Sequence, residues 1–206
     1  MPDIDLDRLV SEQPPYWEYL LSAQTLRANL KPPVQRWKDL RDGLITRRLT
    51  RLNAAEFFQW VQTRMAEARS FIDPLTELYT IRLPAAWGPP GESGSVEQIK
   101  HVCGLIAGIA DDLVRWEEDV AFTRTTHQLE PLRQRISGAA GHQFNELLKV
   151  PDVLEDGVRR AQSGEDQATE VRHTIVISLP EGWTEGLDLE FTKVNGLIEA
   201  GELEMD

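Results

Sequence analysis

The chain has 206 residues, 41% of them hydrophobic, and a formal net charge of −12. That apolar content suffices for one core, and the acidic balance argues against nonspecific binding of DNA or anionic lipid by the whole surface. The charge is uneven: eight basic residues lie between Arg27 and Leu52 against two acidic ones, and fourteen acidic residues lie between Asp152 and Asp206 against four basic. A bipolar chain of this kind can pair its halves, stack head to tail, or offer two surfaces to different partners.

Residues 1–13 read as an acidic arm with a weak apolar stripe of Ile4, Leu6, Leu9 and Val10, and they lack the apolar stretch of a signal peptide. A helical bundle is expected over 14–161. Pro14-Pro15 opens a first helix with Tyr16, Trp17, Leu20, Leu21 and Leu26. Lys31-Pro32-Pro33 is expected to end it, because the residue before a proline is pushed out of the helical region. A second helix then carries Trp37, Leu40 and Leu44, with a bend or break at Gly43. The segment L52-N53-A54-A55-E56-F57 pairs an Asn cap with a Glu three residues later, which is a capping box, and it starts a helix with Phe57, Val61, Ala68 and Phe71 on its core face. Asp73-Pro74 predicts a kink in it.

Ser95 begins the helix expected to lie at the centre. Val102, Ile106, Ile109, Leu113, Trp116 and Val120 make one stripe, and the smaller Cys103, Ala107, Ala110, Val114 and Ala121 make another, so more than one neighbour should pack on it. Gly104 and Gly108 suggest a close backbone approach. The lone Cys103 excludes an intramolecular disulfide and a cysteine-based zinc site, and its apolar surroundings mark it as an inert thiol. Pro131, Gly138, Gly141 and Pro151 predict a series of short helices up to 161. A polar linker follows at 162–171.

Over 172–194 the period changes. Ile175, Ile177 and Leu179 alternate with other residues, and so do Leu187, Leu189 and Phe191. Two strands of a C-terminal β-hairpin are therefore expected, followed by an acidic tail at 195–206. The fold class is mainly α, a multi-helix bundle with a C-terminal two-stranded β-hairpin. The frame I-x-L-P-x-x-W occurs twice, at 81–87 and 177–183, but its flanks differ. Each copy reads as the end of an element with a tryptophan, Trp87 or Trp183, folded over it.

The chain lacks a phosphate loop, a dinucleotide glycine pattern and a nucleophile elbow, so neither cofactor nor metal is expected. His101, Asp112 and Asp119 share one flank of the central helix but stand too far apart along it to hold one ion. Arg135 and His142 have a spacing that resembles the R-x(4–6)-H element of the helical HEPN ribonucleases. That resemblance implies a metal-independent, dimeric ribonuclease with Arg135 and His142 as catalytic residues, although Ile136 stands where that family places a polar residue.

The main expectation is a non-enzymatic protein–protein interaction module, an adaptor or accessory subunit in the cytoplasm, that binds another protein or itself and no membrane. Its partner-binding residues are expected to be Arg47, Arg48 and Arg51 in the basic stretch, with Trp183, Leu187, Leu189 and Phe191 on the hairpin. Nucleic acid is the lesser alternative for 36–51, whose charges spread around the helix.

Overall fold

The computed structural model of the chain describes residues 16–77, 80–84, 94–163, 174–178 and 183–202. The arm at 1–13, the linker residues 164–171, Trp87 and the tail residues 203–206 lie outside the described residues. The elements in chain order are α1 (Tyr16–Arg41), β1 (Thr50–Arg51), α2 (Ala54–Glu77), β2 (Thr80–Pro84), α3 (Gly94–Phe122), β3 (Thr123–Arg124), α4 (Glu130–Leu147), α5 (Val150–Ser163), β4 (Thr174–Ser178) and α6 (Trp183–Glu199). The protein is mainly helical, as its apolar periodicity predicts.

α1 passes straight through Pro32 and Pro33 instead of ending there. Each proline removes one backbone donor and disfavours a helical residue before it. What overrides this cost is a buried stripe at alternating steps of four and three, Tyr19, Ala23, Leu26, Leu30, Pro33 and Trp37, which continues in phase across the prolines. The helix ends where Gly43 takes a left-handed φ of 71°. Gly43 N–H donates to Leu40 O at 3.2 Å and Leu44 N–H to Asp39 O at 2.8 Å, the bond pair of a Schellman stop. The apolar contact that usually accompanies such a stop is missing, because Asp39 occupies the position Leu44 would cover. Leu44 is left 69% exposed.

α2 starts on the predicted capping box. Glu56 N–H donates to Asn53 Oδ1 and Asn53 N–H donates to Glu56 Oε2, both at 2.9 Å. α3 is the centre of the fold, and its apolar residues divide between two clusters. In the first, Val96 to Val114 of α3 meet α1, Phe144 and Leu147 of α4, and Val150, Leu154 and Val158 of α5. In the second, Trp116 and Val120 meet Phe57, Val61 and Met65 of α2, Leu129, Leu132 and Ile136 of α4, and Val194 of α6. Gly104 and Gly108 face open space, where an added Cβ would meet nothing within 4 Å, so the close backbone approach suggested for them is not made. At Gly141 an added Cβ would lie 3.5 Å from Trp37 Cζ2, an ordinary van der Waals contact with a side chain. That glycine sits within α4, a single helix where several short ones were expected.

The C-terminal β-hairpin is not formed. Its first half holds β4, but β4 pairs antiparallel with β2, so Ile81 faces Ile177, the first residues of the two I-x-L-P frames. Its second half, with Leu187, Leu189 and Phe191, is helical and belongs to α6. The alternation over 187–192 is only three periods long. A helical repeat, Leu187, Phe191, Val194 and Ile198, runs through it and beyond at steps of four, three and four, and the longer pattern wins because it lets Val194 enter the second cluster completely. A second sheet, which the sequence did not predict, joins β1 and β3 in parallel, Thr50 opposite Thr123 and Arg51 opposite Arg124. Leu52 N–H donates to Arg124 O at 2.9 Å to close it.

Candidate functional site

The last turns of α3 carry three acidic residues in a row, Glu117, Glu118 and Asp119. Successive helical residues point roughly 100° apart, so each of the three meets a different neighbour. Glu117 turns to α4, where Ser137 Oγ donates to its Oε1. Glu118 turns to α1, where Arg36 Nε donates to its Oε2 at 2.8 Å. Asp119 turns to α2, where Trp60 Nε1 donates to its Oδ2 at 3.1 Å and Arg64 Nη1 lies 3.3 Å away. The three carboxylates tie the central helix to three surrounding helices, and they are spent on the fold.

Their surroundings differ. Glu118 keeps an exposed counter-ion in Arg36, and Asp119 has two donors. Glu117 has one hydroxyl, and its Oε2 is buried with no hydrogen-bond partner among the described residues. Burial pushes its carboxyl up to about 7, against the opposing pull of the Ser137 hydroxyl and the Arg133 charge. Arg133 is itself buried. It donates to Val120 O at 3.0 Å and to Glu130 Oε1 at 2.8 Å, and it holds the Glu130 carboxyl below the usual range.

The basic stretch divides into a committed half and an uncommitted half. Arg36 pairs with Glu118, and Arg41 lies over the Trp37 ring at 4.8 Å. Farther up α1, Arg27 joins α5 through Asp152 at 3.0 Å and Glu155 at 2.8 Å, so part of the bipolar charge does pair within the chain. Past the Gly43 stop the situation changes. Arg47 is half-exposed and only grazes Glu118 at 4.0 Å. Arg48 and Arg51 are exposed and make no ion pair among the described residues. Leu44 and Leu49 are exposed beside them. Leu49, Arg51 and Leu52 form one wall of an open groove of roughly 460 Å³, and Arg124, Thr125 and Thr126 form the other.

The other residues marked in the sequence are not brought to this surface as a group. Trp183, Leu187, Leu189 and Phe191 lie on α6, on one helix and not on two strands. Leu189 is 56% exposed, and the other three are described by their backbone only. Arg135 and His142 both lie on α4, seven residues and therefore about two turns apart on one side. Arg135 is exposed, and His142 is described by its backbone only. His101 is exposed, while Asp111 pairs with Arg115 at 2.6 Å and Asp112 lies 4.0 Å from it. These side chains belong to no common site with Asp119, and among the described residues no group of three His, Cys, Asp or Glu could hold a metal ion. The Cys103 thiol is buried and pushed up to about 11 by that burial, which makes it a poor nucleophile.

The groove beside β1 was not visible in the sequence. It depends on a contact between two-residue strands 73 positions apart, Thr50 with Thr123, for which no local pattern exists. Arg47, Arg48 and Arg51, candidates from charge alone, are exposed. No helix among the described residues is long and apolar enough to cross a membrane. Comparison of the chain with protein-family models, curated proteins and solved structures gives no match.

Proposed function

We propose that this protein is a cytoplasmic, non-enzymatic protein–protein interaction module, an adaptor or accessory subunit, whose contact surface is the loop and edge strand at 43–51. One observation carries the reading. Arg47, Arg48 and Arg51 stand with Leu44 and Leu49 on an exposed edge, in a chain of net charge −12 that, among the described residues, gives Arg48 and Arg51 no carboxylate and Arg47 only Glu118 at 4.0 Å. Arginine and exposed leucine together suit a partner surface that is both acidic and apolar.

The test is affinity purification with cross-linking from the native host, using wild type and the triple charge reversal R47E/R48E/R51E. Retention of a partner by wild type, its loss in the triple variant and an unchanged helical circular dichroism signal support the reading. Salt-sensitive RNA binding by wild type that the triple variant loses would replace the acidic protein with nucleic acid. RNA cleavage lost on R135A would favour the HEPN-like ribonuclease, for which the shared face of α4 is the supporting feature.

A further inference from the structure

Resting on the reading of 43–51 as a contact surface, we propose that the groove between β1 and β3 binds a phosphate monoester on the partner, a phosphorylated serine or threonine beside an apolar residue. The register of the parallel ladder carries the proposal. Arg51 stands directly opposite Arg124, and both line the groove. Like charges placed directly opposite each other destabilise a sheet. Neither arginine makes an ion pair among the described residues.

Arg124 is already set for an anion. Its Nη1 donates to Ala121 O and to Thr123 O at the end of α3, and these two bonds hold the guanidinium in place. Its Nε and Nη2 have no hydrogen-bond partner among the described residues. That edge is the fork that grips two oxygens of one oxyanion. Glu130 feels the Arg124 charge, but its Oε1 is held by Arg133 at 2.8 Å. Arg51 is exposed and has no hydrogen bond among the described residues, so its own fork is open. On the wall of Arg124, Thr126 is exposed, and Thr125 Oγ1 is buried with no hydrogen-bond partner among the described residues.

Charge selects the ligand. A carboxylate or a phosphodiester carries one negative charge and leaves one arginine unanswered. A phosphate monoester carries about −1.5 to −2 at pH 7 and three acceptor oxygens, enough for both forks and a threonine hydroxyl. Leu49 and Leu52, beside Arg51, offer an apolar neighbour of the ester a place to pack. The groove is open and not enclosed, which suits a side chain presented by a larger surface better than a free metabolite that must be buried on most sides.

Isothermal titration calorimetry on the full chain tests this with the peptide acetyl-Gly-Leu-phosphoserine-Leu-Gly-amide and its serine and glutamate counterparts. The phosphopeptide should bind saturably, the serine peptide should not, and the glutamate peptide should bind about tenfold or more weakly. Excess inorganic phosphate should displace the phosphopeptide, and NaCl at the same ionic strength should displace less of it. R51A should weaken binding by about tenfold or more with an unchanged helical circular dichroism signal. R51K should restore only part of the loss, because an ammonium keeps the charge without the fork.

A phosphopeptide that does not bind overturns the proposal. So does a glutamate peptide that binds equally well, or an R51A variant that binds as wild type does. If the phosphopeptide fails while R47E/R48E/R51E still loses its partner in the affinity purification, the contact surface stands and its phosphate chemistry falls. If the triple variant keeps its partner, the reading and the proposal fall together.

Discussion

Arg133 and Arg51 carry the same charge in opposite circumstances. Arg133 is buried between α3 and α4, where it satisfies Val120 O and Glu130 and lies close enough to influence Glu117. Arg51 is exposed on an edge strand beside Arg48, and neither makes an ion pair among the described residues. The first kind of arginine ties helices together, and the second leaves the helices as they are. In a chain with an excess of acid, cations that remain unpaired mark the surface where the fold has no use for them. The comparison can be broken or sharpened by removing members of each set.

The largest effect is expected from R133A. It leaves Val120 O buried without its donor and Glu130 without its partner, and should lower the unfolding free energy by about 3–4 kcal/mol in urea denaturation. The next is E117Q, measured as a change in pH dependence. The folded carboxyl is raised from 4.5 to about 7, so the folded state holds a proton that the unfolded state has released. This group's stabilisation is therefore fully present below 4.5 and is lost as pH rises through about 7. E117Q should remove a decline of roughly 3 kcal/mol across that window and be more stable than wild type at pH 8.

E118A should follow, with a loss of about 1–2 kcal/mol. Its partner Arg36 is half-exposed and can take up water once the carboxylate is gone. N53A removes the cap of α2 and should lower the stability by about 1 kcal/mol in thermal unfolding. The smallest effect belongs to R47E/R48E/R51E, within about 0.5 kcal/mol of wild type, because Arg48 and Arg51 are exposed without ion pairs among the described residues and half-exposed Arg47 reaches Glu118 only at 4.0 Å.

These magnitudes also mark where the sequence was legible. The capping box at 53–56 and the apolar stripes of α3 are local patterns, each written within a few turns, and the structure places them as read. The path of α1 through Pro32 and Pro33 was misread because the local rule for proline was weighed without the longer stripe from Tyr19 to Trp37. The hairpin failed for the same reason. Three periods of alternation at Leu187, Leu189 and Phe191 lost to a helical repeat that reaches Val194 and Ile198.

The candidate surface was half legible. Charge alone pointed to Arg47, Arg48 and Arg51. Which arginines of the basic stretch remain uncommitted depends on where Glu118 and the Gly43 stop fall in space, and the groove depends on Thr50 meeting Thr123. Pairings between distant segments leave no periodic trace in either one.

The central claim is that the arginines at 47, 48 and 51 serve contacts and not the fold. It is tested most directly by following thermal unfolding and partner retention on one preparation of R47E/R48E/R51E beside wild type. The account predicts an unchanged midpoint with retention abolished. A lowered midpoint with retention intact would contradict it, because the arginines would then belong to the fold after all.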